Sequence, residues 1–258
     1  MSAEKYEFQA MLKSVMHFRD AGDSYPAGGT GLRKGLIYRS GSLDRIKRED
    51  IRRLQQLGIK AIVDLRAPAE YSKRKVVIPG INVFSMPLDF EYVTRERLKP
   101  LIMSGNQEEA VQKVITELYR EILDAAIPIY REIVEMILDG GHTPMLIHCR
   151  AGKDRTGIIC ALLQMAAGSS EDSIIRNFMK SNDVIVPYYR KRLWIRKILS
   201  LGFFPADAIL DAITLRGENI REVIKRVRVH YGGIAGYLSV SGFDMSKFML
   251  LKGKLNNI

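Results

Sequence analysis

One segment in the middle of the chain constrains the fold more than any other. Residues 144–148 form a short apolar run of the kind that is buried as a strand. Residues 156–167 are apolar nearly all round, as expected for a central buried helix. Because only a short loop separates the two, the sequence predicts a buried strand, a tight turn and a buried helix in immediate succession, which is an α/β arrangement.

The first part of the chain alternates strand-like and helix-like patterns. Apolar and β-branched runs predict strands over residues 36–39, 59–65 and 81–84. Apolar residues at helical spacing predict a helix over 47–57 and a longer helical region over 107–138, which Pro128 should divide into two helices.

After residue 168 the pattern is helical only. Helices are predicted over residues 171–179, 188–199, 206–213 and 219–229, and glycines at 232 and 233 precede a short tail. We therefore predict a single α/β domain over residues 1–258, with a central, mostly parallel sheet flanked by helices. Residues 168–230 are predicted to form a helical lid or extension within that domain.

The chain has only two cysteines, Cys149 and Cys160. The first is predicted in the loop and the second in the helix that follows, so a structural disulfide is not expected and a reducing compartment is the simplest assumption. The four histidines show no metal-ligand spacing, so neither a metal nor a cofactor is predicted. No secretory signal is seen at the N-terminus, which favours a cytoplasmic location and leaves a non-standard route of secretion open.

The charge balance indicates an anionic partner. The formal net charge is +11 and the sequence pI is about 9.6, which favours a phosphoester, an acidic membrane surface or nucleic acid. The basic residues are spread along the chain, and neither zinc-finger spacing nor an RNA-binding aromatic motif accompanies them. A nucleic-acid partner is therefore not predicted.

The loop between the predicted strand and helix carries residues that suggest a chemistry. A cysteine is a good phosphoryl acceptor only as the thiolate, and a helix N-terminus with adjacent cations favours that form. Cys149 has both kinds of neighbour. Arg155 follows six residues later, and its planar guanidinium can bind two phosphoryl oxygens at once. We predict a phosphate cradle with Cys149 as the nucleophile and Arg155 as the anion clamp.

The remaining residues of the loop are assigned supporting roles. Backbone N–H groups of a tight turn before a helix converge on one point, where a phosphate should lie. In this sequence these groups belong to Arg150, Ala151, Gly152 and Lys153. The glycine supplies the backbone freedom that such a turn needs. Thr156 is predicted to donate its hydroxyl to the sulfur, and His148 to orient the loop.

Hydrolysis of a phosphomonoester also requires a proton for the leaving alcohol. In the predicted reaction the thiolate attacks phosphorus, a cysteinyl-phosphate forms, and water hydrolyses it. Asp154, inside the loop, is the first candidate for the acid, because a bound phosphate dianion should raise its pKa by like-charge repulsion. The alternatives are Asp89, Asp20 and Asp64.

At this loop the sequence resembles bacterial protein-tyrosine phosphatases whose active-site loop reads His-Cys-x-Ala-Gly-Lys-Asp-Arg-Thr-Gly, which matches residues 148–157 at every fixed position. The similarity extends to Phe18-Arg19-Asp20, to Tyr38-Arg39-Ser40-Gly41, to Asp64-Leu65-Arg66 with Glu70, and to Tyr231-Gly232-Gly233. It therefore covers nearly the whole chain.

This resemblance implies a cysteine-phosphatase core with inserted helices that can cover the active site. It also implies activity on phosphotyrosine and, as in several members, on phosphoserine, phosphothreonine and phosphoinositides. The Lys-Asp pair associated with that breadth stands here as Lys153-Asp154.

Several residues have two interpretations. Arg39 and Arg66 are either ordinary salt-bridge residues or ligand-binding residues at the ends of strands. Cys160 is more simply a small apolar residue of the buried helix than a redox partner. The basic and aromatic residues of 188–197 form either a solvated amphipathic helix or part of a lid that touches acidic lipid or phosphoprotein.

Two other functions compete with a phosphatase. Residues 62–66 with Glu70 also resemble the opening motif of rhodanese-type sulfurtransferases, although Arg155-Thr156-Gly157 does not belong to that loop. A non-catalytic phosphate-binding module is the second alternative, and intact Cys149 and Arg155 disfavour it. Within phosphatases, a phosphorylated protein is the favoured substrate and a phosphoinositide is the runner-up.

Overall fold

The computed structural model describes residues 12–22, 30–71, 77–90, 94–104 and 107–256. Within these ranges the strands form one sheet. The strands are β1 (Arg19–Asp20), β2 (Ile37–Ser40), β3 (Ala61–Asp64), β4 (Asn82–Ser85) and β5 (Met145–His148). Their order in the sheet is β1-β2-β5-β3-β4, with β1 antiparallel to β2 and all other pairs parallel.

The described helices precede, flank and follow these strands. Up to β5 they are α1 (Arg48–Gln56), α2 (Lys99–Ser104), α3 (Glu108–Ala125) and α4 (Ile127–Asp139). After β5 they are α5 (Asp154–Ala167), α6 (Glu171–Met179), α7 (Asn182–Leu199), α8 (Ala206–Ile213), α9 (Gly217–Val229), α10 (Ile234–Val240) and α11 (Phe248–Leu255). Short 3₁₀ turns at Pro68–Tyr71 and Met245–Lys247 and a π turn at Thr94–Leu98 connect them.

The register of the parallel strands brings three strand ends together. Ser40 of β2 and Asp64 of β3 both lie opposite His148 of β5. In open α/β sheets ligands bind outside the carboxyl ends of the strands. The residue after His148 is Cys149, so the chain leaves the sheet at the edge where a ligand site is expected.

Side chains of the central strands alternate between two hydrophobic cores, as the two-residue period of a strand requires. Val63 and Ile147 face the larger core, which contains α5. Ile62 and Leu146 face the smaller core, where they meet Leu54 of α1. Helix α5 is buried at eleven of its fourteen residues, because sheet and helices enclose it on all sides. A helix that is apolar nearly all round is stable only in such a place.

The predicted fold class is confirmed: the sheet is mostly parallel and helices flank it. The predicted strands and helices form within a few residues of their expected limits. Helix α7 begins at residue 182 rather than 188, with Pro187 inside it. Its first turn is held by Asn182, whose amide side chain exchanges two hydrogen bonds with the backbone of Leu215.

Some elements were not predicted. β1 has only two residues and exists through its pairing with β2, and the chain after residue 233 contains α10 and α11 rather than a short tail. Residues 168–230 do contain four helices, α6 to α9, and their role as a lid stays a prediction. None of the helices in the described ranges is both long enough and apolar enough to cross a bilayer.

Candidate active site

The turn from β5 to α5 depends on a glycine. Gly152 has φ +69°, and a Cβ at this position would lie 2.3 Å from the carbonyl oxygen of Ser40 at the end of β2. Any side chain here would therefore collide with the neighbouring strand. The resulting close turn brings the backbone N–H of Gly152 to 3.2 Å from Sγ of Cys149, to which it donates.

Cys149 is placed where a negative charge is favoured. The residue is 2% exposed, and the turn that it begins leads into α5 at Asp154. The N-terminus of a helix carries a partial positive charge and unpaired N–H groups. A thiolate at this position and an anionic ligand beside it would both be stabilised by those groups.

Arg155 is held by the carboxylate of Glu70, whose part in the site is not evident from the sequence. Glu70 accepts hydrogen bonds from Nη1 and Nη2 of Arg155 at 2.5 and 2.7 Å. Burial lowers the pKa of Arg155, but the Glu70 hydrogen bond and nearby negative charges raise it further than burial lowers it. Burial likewise raises the pKa of Glu70, and the bond from Arg155 outweighs it, so the pair is fully ionised.

The contacts of Arg155 leave one edge of its guanidinium for a ligand. Nη1 also donates to the carbonyl oxygens of Leu65 and Leu88, at 3.3 and 3.1 Å. A guanidinium has five N–H donors. Among the described residues, the contacts engage both hydrogens of Nη1 and one of Nη2, so Nε and the second hydrogen of Nη2 remain. These two donors share one side of the guanidinium, which is the geometry that binds two phosphoryl oxygens.

Arg39 lies behind the loop as a fully buried cation. Its Nη2 donates to the carbonyl oxygens of Gly152 and Lys153 at 2.8 and 3.3 Å, and Nη1 donates to Asn177 Oδ1 at 3.3 Å. In the described part of the chain its hydrogen-bond acceptors are neutral oxygens rather than carboxylates. Burial lowers its pKa, and negative charge on Cys160 or Cys149 opposes that shift. Arg39 is therefore a support of the loop rather than an ordinary salt-bridge residue.

Arg66 instead belongs to a buried ion-pair network beside the loop. It binds Asp64 through Nη2 at 2.7 Å and Asp44 through Nη1 at 2.6 Å. His148 Nε2 lies 3.6 Å from Asp64, and burial lowers the pKa of His148 to about 4 despite that carboxylate. A histidine with this pKa is neutral at pH 7, and its role in orienting the loop stays a prediction.

Asp154 is anchored by two donors. Its Oδ1 accepts hydrogen bonds from the Tyr119 hydroxyl at 2.5 Å and from Lys153 Nζ at 2.8 Å. Burial raises the pKa of Asp154, but Lys153, the Tyr119 hydrogen bond and Arg155 together lower it below its ordinary value. Burial and Asp154 raise the pKa of Tyr119 well above 10. Without a ligand, Asp154 is thus a carboxylate and Tyr119 a neutral phenol.

A pocket of about 580 Å³ opens above the loop. Cys149, Arg150, Ala151, Lys153, Asp154 and Arg155 form its charged floor. Its apolar walls come from Phe90, Leu98, Ile115, Leu118, Ile122, Ala212 and Ile213, with Arg95 and Lys99 also lining it. The pocket therefore suits a ligand with an anionic head and an apolar or aromatic body.

The other predicted site residues lie elsewhere. Asp20 accepts hydrogen bonds from the backbone N–H groups of Gly22 and Gly35 at 2.7 and 2.6 Å, so it holds the segment before β2. Asp89 is exposed and follows Leu88, whose carbonyl contacts Arg155. Neither lines the pocket described above.

Two other side chains of α5, those of Thr156 and Cys160, are buried in the helix. Thr156 is buried, and its hydroxyl has no hydrogen-bond partner in the described ranges, so the predicted donation to that sulfur is not formed in this structure. Cys160 is a buried thiol whose pKa is raised by burial. Among the described residues both cysteines are free thiols, and no group of three or more potential ligands for a metal ion is found there.

A mostly parallel sheet that ends in a cysteine-containing loop at the N-terminus of a buried helix, with an arginine six residues after the cysteine, is the arrangement of the α/β cysteine phosphatases. A family model described as the tyrosine phosphatase family matches residues 10–257. The chain belongs to this family and is a protein-tyrosine phosphatase. The sulfurtransferase and non-catalytic alternatives are set aside by this result.

Two curated relatives agree with the family assignment. The chain is 28% identical over 278 residues to the triple specificity protein phosphatase PtpB of Mycobacterium tuberculosis, with 95% of this chain and 98% of that protein covered. It is 27% identical over 235 residues to a tyrosine-protein phosphatase of Nostoc commune, with 88% of this chain and 76% of that protein covered. A solved structure of P. aeruginosa TpbA in complex with phosphotyrosine shares 15% identity with this chain. The match covers 86% of this chain and 96% of that one, with a TM-score of 0.36.

Proposed function

We propose that the enzyme hydrolyses phosphotyrosine in proteins through a cysteinyl-phosphate on Cys149, and that it also accepts phosphoserine, phosphothreonine and phosphoinositides. The observation that carries this proposal is the pocket, in which a charged floor around Cys149 and Arg155 meets apolar walls. A phosphotyrosine has the matching distribution of charge and aromatic surface.

In the first step the Cys149 thiolate attacks phosphorus, an S–P bond forms and the P–O bond to the substrate breaks. Nε and Nη2 of Arg155 bind two equatorial oxygens, while Glu70 keeps the guanidinium in place. In the second step water attacks the cysteinyl-phosphate, releasing inorganic phosphate and restoring the thiolate. The Gly152 N–H, which donates to the sulfur, favours the thiolate as leaving group.

Asp154 supplies the proton to the leaving oxygen in this proposal. Of the four carboxylates considered from the sequence, it is the one that lines the pocket among the described residues. Its pKa is lowered in the ligand-free protein, and a bound phosphate dianion would raise it by like-charge repulsion. Tyr119 and Lys153 hold the carboxylate in a fixed position, so they act as positioning residues.

Replacing Asp154 with asparagine should slow poor leaving groups selectively. We expect kcat/KM for a phosphotyrosine peptide to fall about 100-fold or more, because the phenolate then leaves without a proton. Turnover of p-nitrophenyl phosphate, whose leaving group is a much weaker base, should fall far less. With the wild type, the rate on the peptide should fall at high pH as Asp154 loses its proton, and this fall should be absent in Asp154→Asn. Asp89→Asn is the matched control, and equal losses on both substrates for Asp154→Asn would move the acid role elsewhere.

Breadth of substrate is supported by charge and by similarity. Arg95 and Lys99 also line the pocket and can meet further phosphates or acidic side chains. The relative PtpB carries triple specificity in its name.

A comparison of kcat/KM on phosphotyrosine and phosphoserine peptides and on phosphatidylinositol phosphates tests this breadth. We expect the phosphotyrosine peptide to rank first, with measurable turnover of the other two. Activity confined to the phosphotyrosine peptide would contradict the broad specificity, and a strong lipid preference would reverse the proposed order.

A further inference from the structure

The connection between α7 and α8 exposes a concentration of apolar side chains. We call residues 194–203 the hairpin tip. Its strongly exposed apolar residues are Trp194, Ile195, Ile198, Leu199, Leu201 and Phe203. Leu201 and Phe203 are 88% and 90% exposed, so their apolar surfaces contribute nothing to the core. An exposed apolar patch of this kind on a folded chain indicates a surface that is covered by a partner.

The backbone at the hairpin tip holds one of these side chains in an unusual conformation. Helix α7 ends with the N–H of Gly202 donating to the Lys197 carbonyl and that of Leu201 donating to the Ile198 carbonyl. This pattern requires a left-handed residue, a place that glycine usually occupies. Here it is Leu201, with φ +53°. A branched side chain is costly in that conformation, and folding gains nothing from its exposure, so the leucine points to a function.

The charge around the hairpin tip identifies the partner as anionic. Residues 184–206 contain no aspartate or glutamate. Their five cations are Arg190, Lys191, Arg192, Arg196 and Lys197. Within the described ranges, Lys197 is the member of this group that forms a salt bridge, with Asp207 at 2.6 Å. Two copies meeting tip to tip would bring the like charges of their α7 helices toward one another, which opposes self-association through this surface.

An anionic lipid bilayer fits this surface better than a protein partner does. Exposed tryptophan, phenylalanine and leucine beside arginine and lysine are typical of segments that lie in the membrane interface. The apolar side chains enter the acyl boundary, and the cations stay at the level of the acidic headgroups. The hairpin tip presents its apolar side chains together with Arg196 and Lys197, and Arg190, Lys191 and Arg192 precede it on the same helix.

We propose that the hairpin tip docks this enzyme on anionic lipid bilayers. The proposal deepens the proposed function. It rests on that function in taking phosphoinositides of the same bilayer to be substrates. Docking itself requires no turnover. The hairpin tip leads into α8, whose Ala212 and Ile213 form part of the wall of the active-site pocket, so the docking element and the substrate pocket share a helix.

Cosedimentation with vesicles of phosphatidylcholine, with and without phosphatidylserine, tests the docking. These vesicles contain no phosphoinositide, so the active site is not engaged. The full chain should bind the phosphatidylserine vesicles and should bind pure phosphatidylcholine much more weakly. The double variant Leu201→Ser with Phe203→Ser should weaken binding about tenfold or more. Arg190→Gln with Lys191→Gln should weaken it about fivefold for each charge removed, on anionic vesicles alone.

A matched control uses exposed apolar residues outside the hairpin tip. Val229 and Met249 are 76% and 72% exposed, and the double variant Val229→Ser with Met249→Ser should bind vesicles as the wild type does. Thermal unfolding midpoints check that all variants are folded. Unchanged binding by Leu201→Ser with Phe203→Ser would overturn the proposal. The proposal would also be overturned if sedimentation velocity showed that the wild type self-associates and that this variant does not.

Failure of docking and failure of the proposed function are separable. A protein that turns over phosphotyrosine peptide but does not bind phosphatidylserine vesicles retains its function and overturns the docking. A protein that binds these vesicles through residues 201 and 203 but turns over neither peptide nor lipid retains the docking and overturns the function.

Discussion

Replacing Cys149 with serine is expected to reduce phosphotyrosine turnover by about four orders of magnitude or more. A serine hydroxyl at this position stays protonated at neutral pH, and the helix N-terminus and loop donors that favour a thiolate are not sufficient to ionise it. Phosphate release from a phosphotyrosine peptide measures the loss. Because the loop amides and Arg155 remain, the serine variant should still bind the peptide, which equilibrium titration of the catalytically dead protein can show.

Cys160 provides the matched control for this experiment. It is buried in α5 among apolar neighbours and does not line the pocket. Cys160→Ala should therefore keep its activity and lose only a modest part of the free energy of unfolding. Substantial turnover by Cys149→Ser, or an equal loss in Cys160→Ala, would show that the nucleophile has been assigned wrongly.

The catalytic loop could be predicted from sequence because its components are local. The apolar run before Cys149, the glycine and the apolar helix are consecutive, and each has one stable place in an α/β fold. Burial of eleven of the fourteen residues of α5 follows from its having no polar face. The alternating contribution of the strands to two cores is also implied by their composition.

The support of the loop could not be predicted in the same way, because it comes from distant parts of the chain. Glu70 binds Arg155 across 85 positions, and Arg39 binds the Gly152 carbonyl across 113. Tyr119, which binds Asp154 across 35 positions, stands on the buried face of a helix, where a tyrosine is ordinarily a core residue. Only the register of the sheet and the packing of α3 bring these groups to the loop.

The predicted start of α7 at residue 188 is wrong for a related reason. Pro187 favours a helix that starts after it, yet tertiary bonds from Asn182 to Leu215 hold an earlier turn. Two short helices after residue 233 pack their apolar residues Tyr237, Leu238, Leu251 and Leu255 into the main core. Their patterns are too short to distinguish from a tail until the core that receives them is known.

Replacing Arg155 with lysine is expected to lower kcat/KM for the phosphotyrosine peptide about 1000-fold, although the positive charge is kept. An ammonium cannot bind two phosphoryl oxygens side by side while also holding Glu70 and two carbonyl oxygens. The four contacts of Arg155 with Glu70, Leu65 and Leu88 fix a planar group in one orientation. The loss should therefore appear mainly in kcat, since charge stabilisation in the transition state is what fails.

Glu70→Gln distinguishes the contribution of the Arg155 guanidinium from that of the carboxylate that holds it. The glutamine removes the charge that fixes Arg155 but leaves its guanidinium intact, so we expect a smaller loss of about tenfold. The double variant Arg155→Lys with Glu70→Gln should have nearly the same kcat/KM as Arg155→Lys alone, because the two residues act as a unit. If lysine at 155 were tolerated within about tenfold, charge alone would be enough, and the side of the guanidinium that faces away from Glu70 would not be the phosphate clamp.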